Sequence, residues 1–400
     1  MVLVREGFSC SIVGCGGKRG LQLRRLVSLN VLDAFIQGAY TCTIPLLLVE
    51  RNIDLTTIGV IFSVYPIVFM VARMLFSSAA DSVGLRKFFN LNALSSIASV
   101  ALYAFSSSPS SYAVAKATQS VKDSSLWAVN RNAAYEIADH RNPQMVSSTV
   151  LFIRALTMAA GAILSGLLIT SVGFRGVFLL LAVLSVLMFI PANMLDIGPK
   201  NRGVTLKDLL GKLRPSSIDR EAWHIALVMS AHEAGSTLIA GYILPILLRS
   251  RGLSYWEIGT VAAMYVGVGA LLLPVTLRRA PSVKRTILVQ VSLFLPAAIL
   301  VPLSSSWTMT VLIMVMALGE STSYIIWESL IHRAVRENRN VATAIGMVHL
   351  PSNLTMMFAL IFAGLLTDRF GFVAPFWIAS ALFLLYSIGA WHFLKPPRKS

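Results

Sequence analysis

Long apolar stretches, each followed by a short polar break, run through almost the whole chain. A stretch of about 20 apolar residues is long enough to cross a bilayer as a helix, and the polar residues behind it return the chain to water. The breaks contain turn-forming residues, as in SSSPSS, PLSSSW and TDRFG. The pattern predicts twelve membrane-spanning helices, near residues 27–49, 57–80, 88–106, 112–135, 145–170, 174–195, 223–248, 256–277, 286–304, 307–331, 342–366 and 373–394.

The composition also indicates a membrane protein. Hydrophobic residues make up 56% of the 400 residues and charged residues only 13%, and the mean hydropathy is +0.73. Soluble domains are about one quarter charged, so a soluble fold is excluded. The three cysteines have neither the number nor the spacing of a disulfide framework or a zinc site. We expect no metal and no cofactor.

The predicted helices form two groups of six, which divide the chain into five parts. These are an N-terminal tail (1–25), a first six-helix bundle (26–195), a central linker (196–222), a second bundle (223–395) and a C-terminal tail (396–400). Within the linker, four leucines share one face of a short helix that is predicted to lie on the membrane surface: Leu206, Leu209, Leu210 and Leu213.

The net charge of +16 is concentrated in alternate polar breaks. With the N-terminus inside, 25 of the 34 Lys and Arg residues fall on inner segments, 5 on outer loops and 4 within predicted spans. Positive charge in membrane proteins accumulates on the cytoplasmic side, so we expect a multi-pass plasma membrane protein with both termini in the cytoplasm. This topology accounts for the charge, and no nucleic-acid partner is needed to explain it.

An internal repeat relates the two groups of six helices. A shift of 200 residues aligns identical or similar residues in the two halves, namely Asp33 with Glu233, Pro45 with Pro245, Tyr65 with Tyr265 and Trp127 with Trp327. After a slip of two residues, Gly166-Leu-Leu aligns with Gly364-Leu-Leu, and Gly173-Phe174 aligns with Gly371-Phe372. Two parallel halves of this kind are a recurrent architecture of transporters.

The polar break at 77–87, SSAADSVGLRK, contains Asp81, Gly84, Arg86 and Lys87. This Asp-x-x-Gly-x-Arg-Lys pattern resembles the loop between the second and third helices of major facilitator superfamily transporters, with Ser77 where that family usually has glycine. The resemblance covers about residues 26–395. It implies an all-α integral membrane fold of twelve helices in two pseudo-symmetric six-helix bundles, and secondary transport by alternating access. The alternative for the loop alone is that its bases only fix the topology. The equivalent loop in the second half, LRRAPSVKR, has Pro281 in place of the acid and is expected to do no more than that.

The same resemblance implies that the first, fourth, seventh and tenth helices line a central cavity. An ionisable residue within the hydrocarbon region costs about 2.5–3.5 kcal/mol on insertion scales and usually faces such a cavity. Helical spacing places polar or aromatic residues on one face of each of these four helices. We predict that ten of them bind substrate or protons: Asp33, Gln37, Lys116, Gln119, Asp123, Trp127, Glu233, Glu320, Tyr324 and Trp327. The acids have two open interpretations, proton coupling or a structural ion pair with Lys116 or Arg154.

Two further sets of residues follow from the resemblance. Lys116-Ala-Thr-Gln119-Ser is similar to the fourth-helix motif Arg-x-x-Gln-Gly of the family, although Lys lacks the two-pronged donor of Arg. Residues near the inner ends of the helices are predicted to form a gate: Asp81, Gly84, Arg86, Arg131, Glu136 and Glu328. We interpret Lys122, Arg154 and the other isolated intramembrane cations as packed or snorkelling side chains.

The predicted cavity residues favour a cationic solute. Five acids, with Glu328 included, face one base, Lys116, and aromatic rings such as Trp127 and Trp327 can stack on a flat cation. This favours export of amphipathic cations in exchange for protons. The fifth helix, AAGAILSGLL, lacks the Gly-Pro pair of drug–proton antiporters, so proton-coupled uptake of a sugar or organic acid is the alternative.

Two remote alternatives come from other functional classes. A membrane sensor of the same fold would bind a ligand without moving it. An intramembrane enzyme is disfavoured, because His232-Glu233 begins like HExxH but Ser236 occupies the position of the second histidine. The expected partners are a small organic solute, protons and the lipid bilayer, and the expected state is a monomer.

Overall fold

The computed structural model of the protein describes residues 18–138, 143–197, 219–279, 282–335 and 341–394. These residues form helices and the turns between them, and this part of the chain contains no strand. The N-terminal tail up to residue 17 and most of the predicted linker, with its four leucines, lie outside the described residues. The division of the chain into five parts therefore stays a prediction.

The described residues of the first half form seven helical segments. One continuous stretch, Pro143–Leu187, is broken at Gly173, whose φ of 71° lies in the left-handed region. We therefore describe it as two helices. The segments are α1 (Lys18–Glu50), α2 (Leu55–Val83), α3 (Leu85–Phe105), α4 (Pro109–Ala138), α5 (143–172), α6 (174–187) and α7 (Phe189–Met194).

The described residues of the second half form seven more helices and one 3₁₀ turn, Val301–Leu303, after α11. The helices are α8 (Arg220–Ala240), α9 (Ile243–Ser250), α10 (Tyr255–Arg279), α11 (Val283–Leu300), α12 (Ser306–Val335), α13 (Val341–Phe370) and α14 (Val373–Leu394).

Each of the twelve predicted spans has helical structure at its position, which confirms the all-α fold class. In the described chain, nine stretches are long and apolar enough to cross a membrane, and α5 to α7 count as one of them. α4 is not among them, because charged and hydroxyl side chains interrupt its apolar residues. The seventh predicted span differs from expectation, since it consists of α8 and α9 with a break at Gly241 and Tyr242.

The start of α1 also differs from the prediction. The helix begins at Lys18, within the segment predicted to be a tail. The reason is that Leu23 and Leu26 are buried, so the first turns of α1 pack against the bundle. Arg25 adds a hydrogen bond of 2.6 Å to the backbone oxygen of Met194 at the end of α7.

The two halves pack through α2 against α13 and α5 against α10. Glycines allow these helices to approach closely. A β-carbon built on Gly364 of α13 would lie 2.1 Å from the Leu55 carbonyl oxygen, and one on Gly166 of α5 would lie 2.4 Å from the Tyr255 carbonyl oxygen. Both contacts lie where α2 and α10 begin. We call this side of the molecule, which includes Asn52, the far end, and the side with Arg86 and Lys87 the basic end.

Candidate transport site

A buried ion-pair network joins α1, α4 and α5 in the first half. Asp33 is fully buried, and the Lys122 Nζ lies 2.6 Å from its Oδ1. The same ammonium lies 2.9 Å from Oδ1 of Asp123, and Nη2 of Arg154 lies 2.9 Å from Oδ2 of Asp33. Two carboxylates therefore face two cations, and the network carries no net charge.

Neutral hydrogen bonds complete this network. Nδ2 of Asn92, on α3, donates to Oδ1 of Asp33 at 3.2 Å and to the Lys122 carbonyl oxygen at 2.9 Å. The hydroxyl of Tyr65, on α2, donates to Oδ2 of Asp123 at 2.9 Å. Because four helices share these contacts, the network fixes their packing as well as their charges.

Arg154 connects the network to side chains predicted to bind substrate. Its guanidinium donates to Oδ1 of Asn30 and to Oε1 of Gln37, both at 3.0 Å, and lies 5.3 Å from the ring centroid of Trp127. Asn30 and Asn130 exchange two further hydrogen bonds of 2.8 and 3.0 Å. Gln37 and Trp127 are half-buried, so Arg154 positions two partly accessible side chains.

Lys116 has a different environment. Its ammonium lies 3.1 Å from Oε1 of Gln119 and 4.0 Å from the ring centroid of Phe62, and it makes no ion pair among the described residues. Tyr103 also donates to Oε1 of Gln119, at 2.9 Å. Lys116 is thus held by an amide and by the face of an aromatic ring.

The second half presents two acids without a cation. Ser236, on α8, donates to Oε1 of Glu320 at 2.5 Å, and the hydroxyl of Tyr265, on α10, donates to the other oxygen. Glu233 lies three residues before Ser236, and thus on the same face of α8, which packs against α12. Within the part of the chain that the structure describes, neither Glu233 nor Glu320 forms an ion pair.

Aromatic rings surround His232, the neighbour of Glu233. Its ring centroid lies 5.4 Å from that of Trp327, 5.1 Å from that of Phe383 and 4.7 Å from that of Tyr386. Trp327 in turn lies 5.7 Å from His349. Trp327 is therefore packed between two imidazole rings. Tyr324 lies on α12, but its side chain is outside the described set.

The structure corrects the charge count made from the sequence. Lys122 and Arg154, interpreted there as packed or snorkelling cations, are the partners of Asp33. The count of one base against five acids is therefore wrong for the first half, where the acids are neutralised. An ion pair with Arg154 was one of the two open interpretations of the acids, and the structure contains it. Lys122 was missed as a partner because it lies off the face of the fourth helix that holds Lys116 and Asp123.

The residues predicted to form an inner gate lie at the basic end. Arg86, Arg131, Glu136 and Glu328 are exposed, and Nη2 of Arg86 donates to Asn193 of the first half at 3.3 Å. Arg131 and Glu328 do not pair with each other in the described structure. Gly84 joins α2 to α3 with a φ of 91°, and the Asp81 side chain is not described.

Contacts between the halves are present instead at the far end. Glu50 lies 3.6 Å from Arg249 and accepts a hydrogen bond from Tyr255. The hydroxyl of Tyr242 donates towards the carbonyl oxygens of Leu55 and Leu360, at 3.2 and 3.0 Å, so one side chain bridges α2 and α13. The far end is therefore closed, and the role of the predicted gate at the basic end stays a prediction.

Three solved structures of transporters have a fold similar to that of this chain. A mutant of the nucleoside transporter NupG superposes with a TM-score of 0.72 over 93% of this chain and 98% of its own, at 15% identity. A structure titled for substrate recognition in proton dependent oligopeptide transporters gives 0.70 over 94% and 96%, at 12% identity. A bacterial homologue of the human drug peptide transporters gives 0.70 over 94% and 97%, at 13% identity. At these identities the likeness shows the fold.

A comparison with curated protein sequences finds no match. The family comparison is decisive, because a model described as the Major Facilitator Superfamily matches residues 26–303 and 225–400. Those ranges contain both groups of acids described above and every described helix except the first turns of α1. The chain belongs to the major facilitator superfamily of membrane transporters.

Proposed function

We propose that the protein is a proton-coupled secondary transporter of a small organic cation, which works by alternating access in the plasma membrane with both termini in the cytoplasm. One observation carries the proposal. The acids of the first half are neutralised by Lys122 and Arg154, whereas Glu233 and Glu320 have no cationic partner among the described residues. The unpaired negative charge of the described residues therefore lies in the second half, whereas the unpaired Lys116 of the first half is buried against the ring of Phe62.

Two neighbouring carboxylates explain how protons and a cation can compete. In a low-dielectric interior, a pair of bare carboxylates is costly, and either a proton or a cationic ligand relieves the repulsion. Glu320 already accepts hydrogen bonds from Ser236 and Tyr265, which hold the carboxylate in one orientation. Exchange of a proton for a cation at this pair changes the charge of the site, and such a change can bias the inward-open and outward-open states.

Aromatic side chains support an organic cation over an inorganic one. Trp327 lies two turns after Glu320 on α12, with its ring 5.4 Å from that of His232, the neighbour of Glu233, and Trp127 lies on α4 in the first half. An indole ring attracts a quaternary or aromatic cation through its π face, with a gain of about 0.5–2 kcal/mol. Two acids without a cationic partner among the described residues, together with an indole on each of two helices, favour a flat, positively charged molecule.

Transport in proteoliposomes tests the proposal. A panel of organic cations, including tetraphenylphosphonium, would be assayed in two ways, by accumulation driven by a pH gradient and by counterflow of labelled solute without a gradient. Glu320→Gln is expected to reduce gradient-driven accumulation at least about tenfold while counterflow persists, because the site keeps its shape but loses a titrating group. Glu221→Gln is the matched control, since Glu221 is exposed at the basic end and pairs with Arg333 at 2.6 Å.

Two results would count against the proposal. Accumulation by Glu320→Gln equal to that of the unmodified protein would remove Glu320 from the coupling. Transport confined to sugars or organic acids would instead support proton-coupled uptake of a metabolite.

A further inference from the structure

A short sequence element occurs twice, at opposite ends of one helix pair. In the last turn of α13, Asp368 precedes Gly371 by three residues, just as Asp81 precedes Gly84 at the end of α2. Both glycines have a positive φ, 91° at Gly84 and 74° at Gly371, so each ends its helix in a conformation that favours glycine. α2 and α13 belong to different halves and pack against each other. One copy of the element thus lies at the basic end and one at the far end.

The copy at the far end makes contact across the two halves. Oδ2 of Asp368 accepts a hydrogen bond from the backbone N–H of Thr56 at 2.8 Å and a second from its hydroxyl at 2.6 Å. Thr56 is in the first turn of α2, where the helix dipole is positive and backbone N–H groups are unpaired. The carboxylate of one half therefore caps the start of a helix in the other half.

The first turn of α2 also has a cap of its own. Asp54 precedes the helix, and its side chain accepts a hydrogen bond of 2.8 Å from the backbone N–H of Thr57. This hydrogen bond lowers the pKa of Asp54 below its ordinary value. Since the helix is already capped from within its own half, it can form without Asp368. The contact with Asp368 is thus an additional bond whose effect falls on the arrangement of the halves.

The second contact between the halves, where α5 packs against α10, lacks an acid at the position equivalent to Asp368. The internal repeat places Gly166 opposite Gly364 and Thr170 opposite Asp368. Gly166 approaches the start of α10 as Gly364 approaches the start of α2, so the helix packing is the same. There the cap is internal, because Glu257 accepts from the backbone N–H and hydroxyl of Ser254 at 2.8 and 2.6 Å. Close packing alone therefore does not require a carboxylate at this position.

We infer that Asp368 is a latch between the halves, which holds the far end closed through the start of α2 and must release Thr56 before that end opens. The inference rests on the proposed alternating access. Asp368 is a positioning residue in this mechanism, because it acts on the equilibrium between two conformations and not on the solute.

Distance measurements on the full-length protein in lipid nanodiscs test the latch. Spin labels would be placed at Asn52 in the first half and Ser305 in the second, both exposed at the far end. Asp368→Ala is expected to raise the population with the long inter-label distance about fivefold, from the loss of a charge-assisted hydrogen bond and a helix-dipole contact. Asp54→Ala is the matched control, since it removes an aspartate from the same helix start without touching the other half. It is expected to leave the distance distribution unchanged.

Further variants keep the test decisive if Asp368→Ala folds poorly. Thr56→Val removes one of the two donors and is expected to give a smaller shift in the same direction. Thr170→Asp adds an acid at the equivalent crossing and is expected to reduce the long-distance population. Unchanged distances in both Asp368→Ala and Thr56→Val, or an equal shift in Asp54→Ala, would overturn the inference.

The outcome is independent of the solute, because the distances are measured without one. A shift in Asp368→Ala with no transport of any cation would remove the proposed function and leave the latch in place. Proton-coupled transport of a cation, with unchanged distances in the latch variants, would support the proposed function and remove the latch.

Discussion

The two halves share a scaffold and differ in how they treat buried charge. Tyr65 and Tyr265 occupy equivalent positions, and each donates to a carboxylate, Asp123 in the first half and Glu320 in the second. The cations are not repeated. The internal repeat places Thr322 opposite Lys122 and Ser352 opposite Arg154.

Because of this difference, the buried acids of the first half serve helix packing, whereas those of the second half can serve ligand binding. In the first half the acids form ion pairs and hydrogen bonds with buried partners, and these contacts hold α1, α3, α4 and α5 together. In the second half Glu320 accepts from two hydroxyl groups, and neither it nor Glu233 has a cationic partner among the described residues, so both remain available to a ligand. Removing a charged residue should therefore affect stability in the first half and coupling in the second.

The largest loss of stability is expected when the central cation of the first half, Lys122, is removed. Lys122→Met leaves Asp123 without a base and Asp33 with only one, and breaking a buried pair in this way typically costs about 3–5 kcal/mol. We expect a large drop in the melting temperature in detergent, measured by thermal shift and size-exclusion chromatography. Adding Asp123→Asn should restore part of the loss. An unchanged melting temperature in Lys122→Met would show that the network does not stabilise the fold.

A matched pair of substitutions compares the two halves directly. Asp123 and Glu320 each accept from a tyrosine, but only Asp123 also contacts a cation. Asp123→Asn should cost about 2 kcal/mol of unfolding free energy, because Lys122 loses a charged partner. Glu320→Gln should cost less than about 1 kcal/mol, because its amide oxygen still accepts from a hydroxyl. Chemical denaturation of both variants in the same micelle measures the difference, and equal costs would contradict the comparison.

A smaller loss of stability is expected when Lys116, rather than Lys122, is replaced. No carboxylate pairs with Lys116 in the described structure, so Lys116→Met leaves no buried acid without its counter-ion. The loss is limited to the hydrogen bond to Gln119 and the contact with the ring of Phe62, about 1–2 kcal/mol together. Thermal shift should show only a minor change beside Lys122→Met. A loss as large as that of Lys122→Met would mean that Lys116 belongs to the network after all.

Helix positions and the candidate acids were predictable from the sequence, because both depend on local patterns. Apolar length locates a helix, and the spacing of Asp33 and Gln37 or of Glu233 and Ser236 identifies one face of it. A pairing with Arg154 was one open interpretation, but the pairing of Asp33 with Lys122 was not predictable in this way. A helical face says nothing about how a helix is rotated against its neighbours, and Lys122 lies off the face that holds Lys116 and Asp123.

The latch could not be found from sequence for a similar reason. Asp368 and Thr56 are separated by 312 residues, and the contact depends on how closely α2 approaches α13. The Asp-x-x-Gly spacing was visible in the break TDRFG, but its partner was not. The glycines at 59 and 364 set that approach, and only the folded chain shows which backbone they face.

The polar character of α4 has a consequence for how the protein is made. α4 carries Lys116, Lys122 and Asp123 and is not among the stretches apolar enough to cross a membrane by themselves. During synthesis, Asp33 and Asn92 have already left the ribosome when α4 emerges, whereas Arg154 follows later. Entry of α4 into the bilayer therefore depends on helices made before it, and the first four helices should leave the translocon as a group. A substitution at Asp33 would then act first as a defect of biogenesis, seen as degradation of the nascent chain before any transporter has formed.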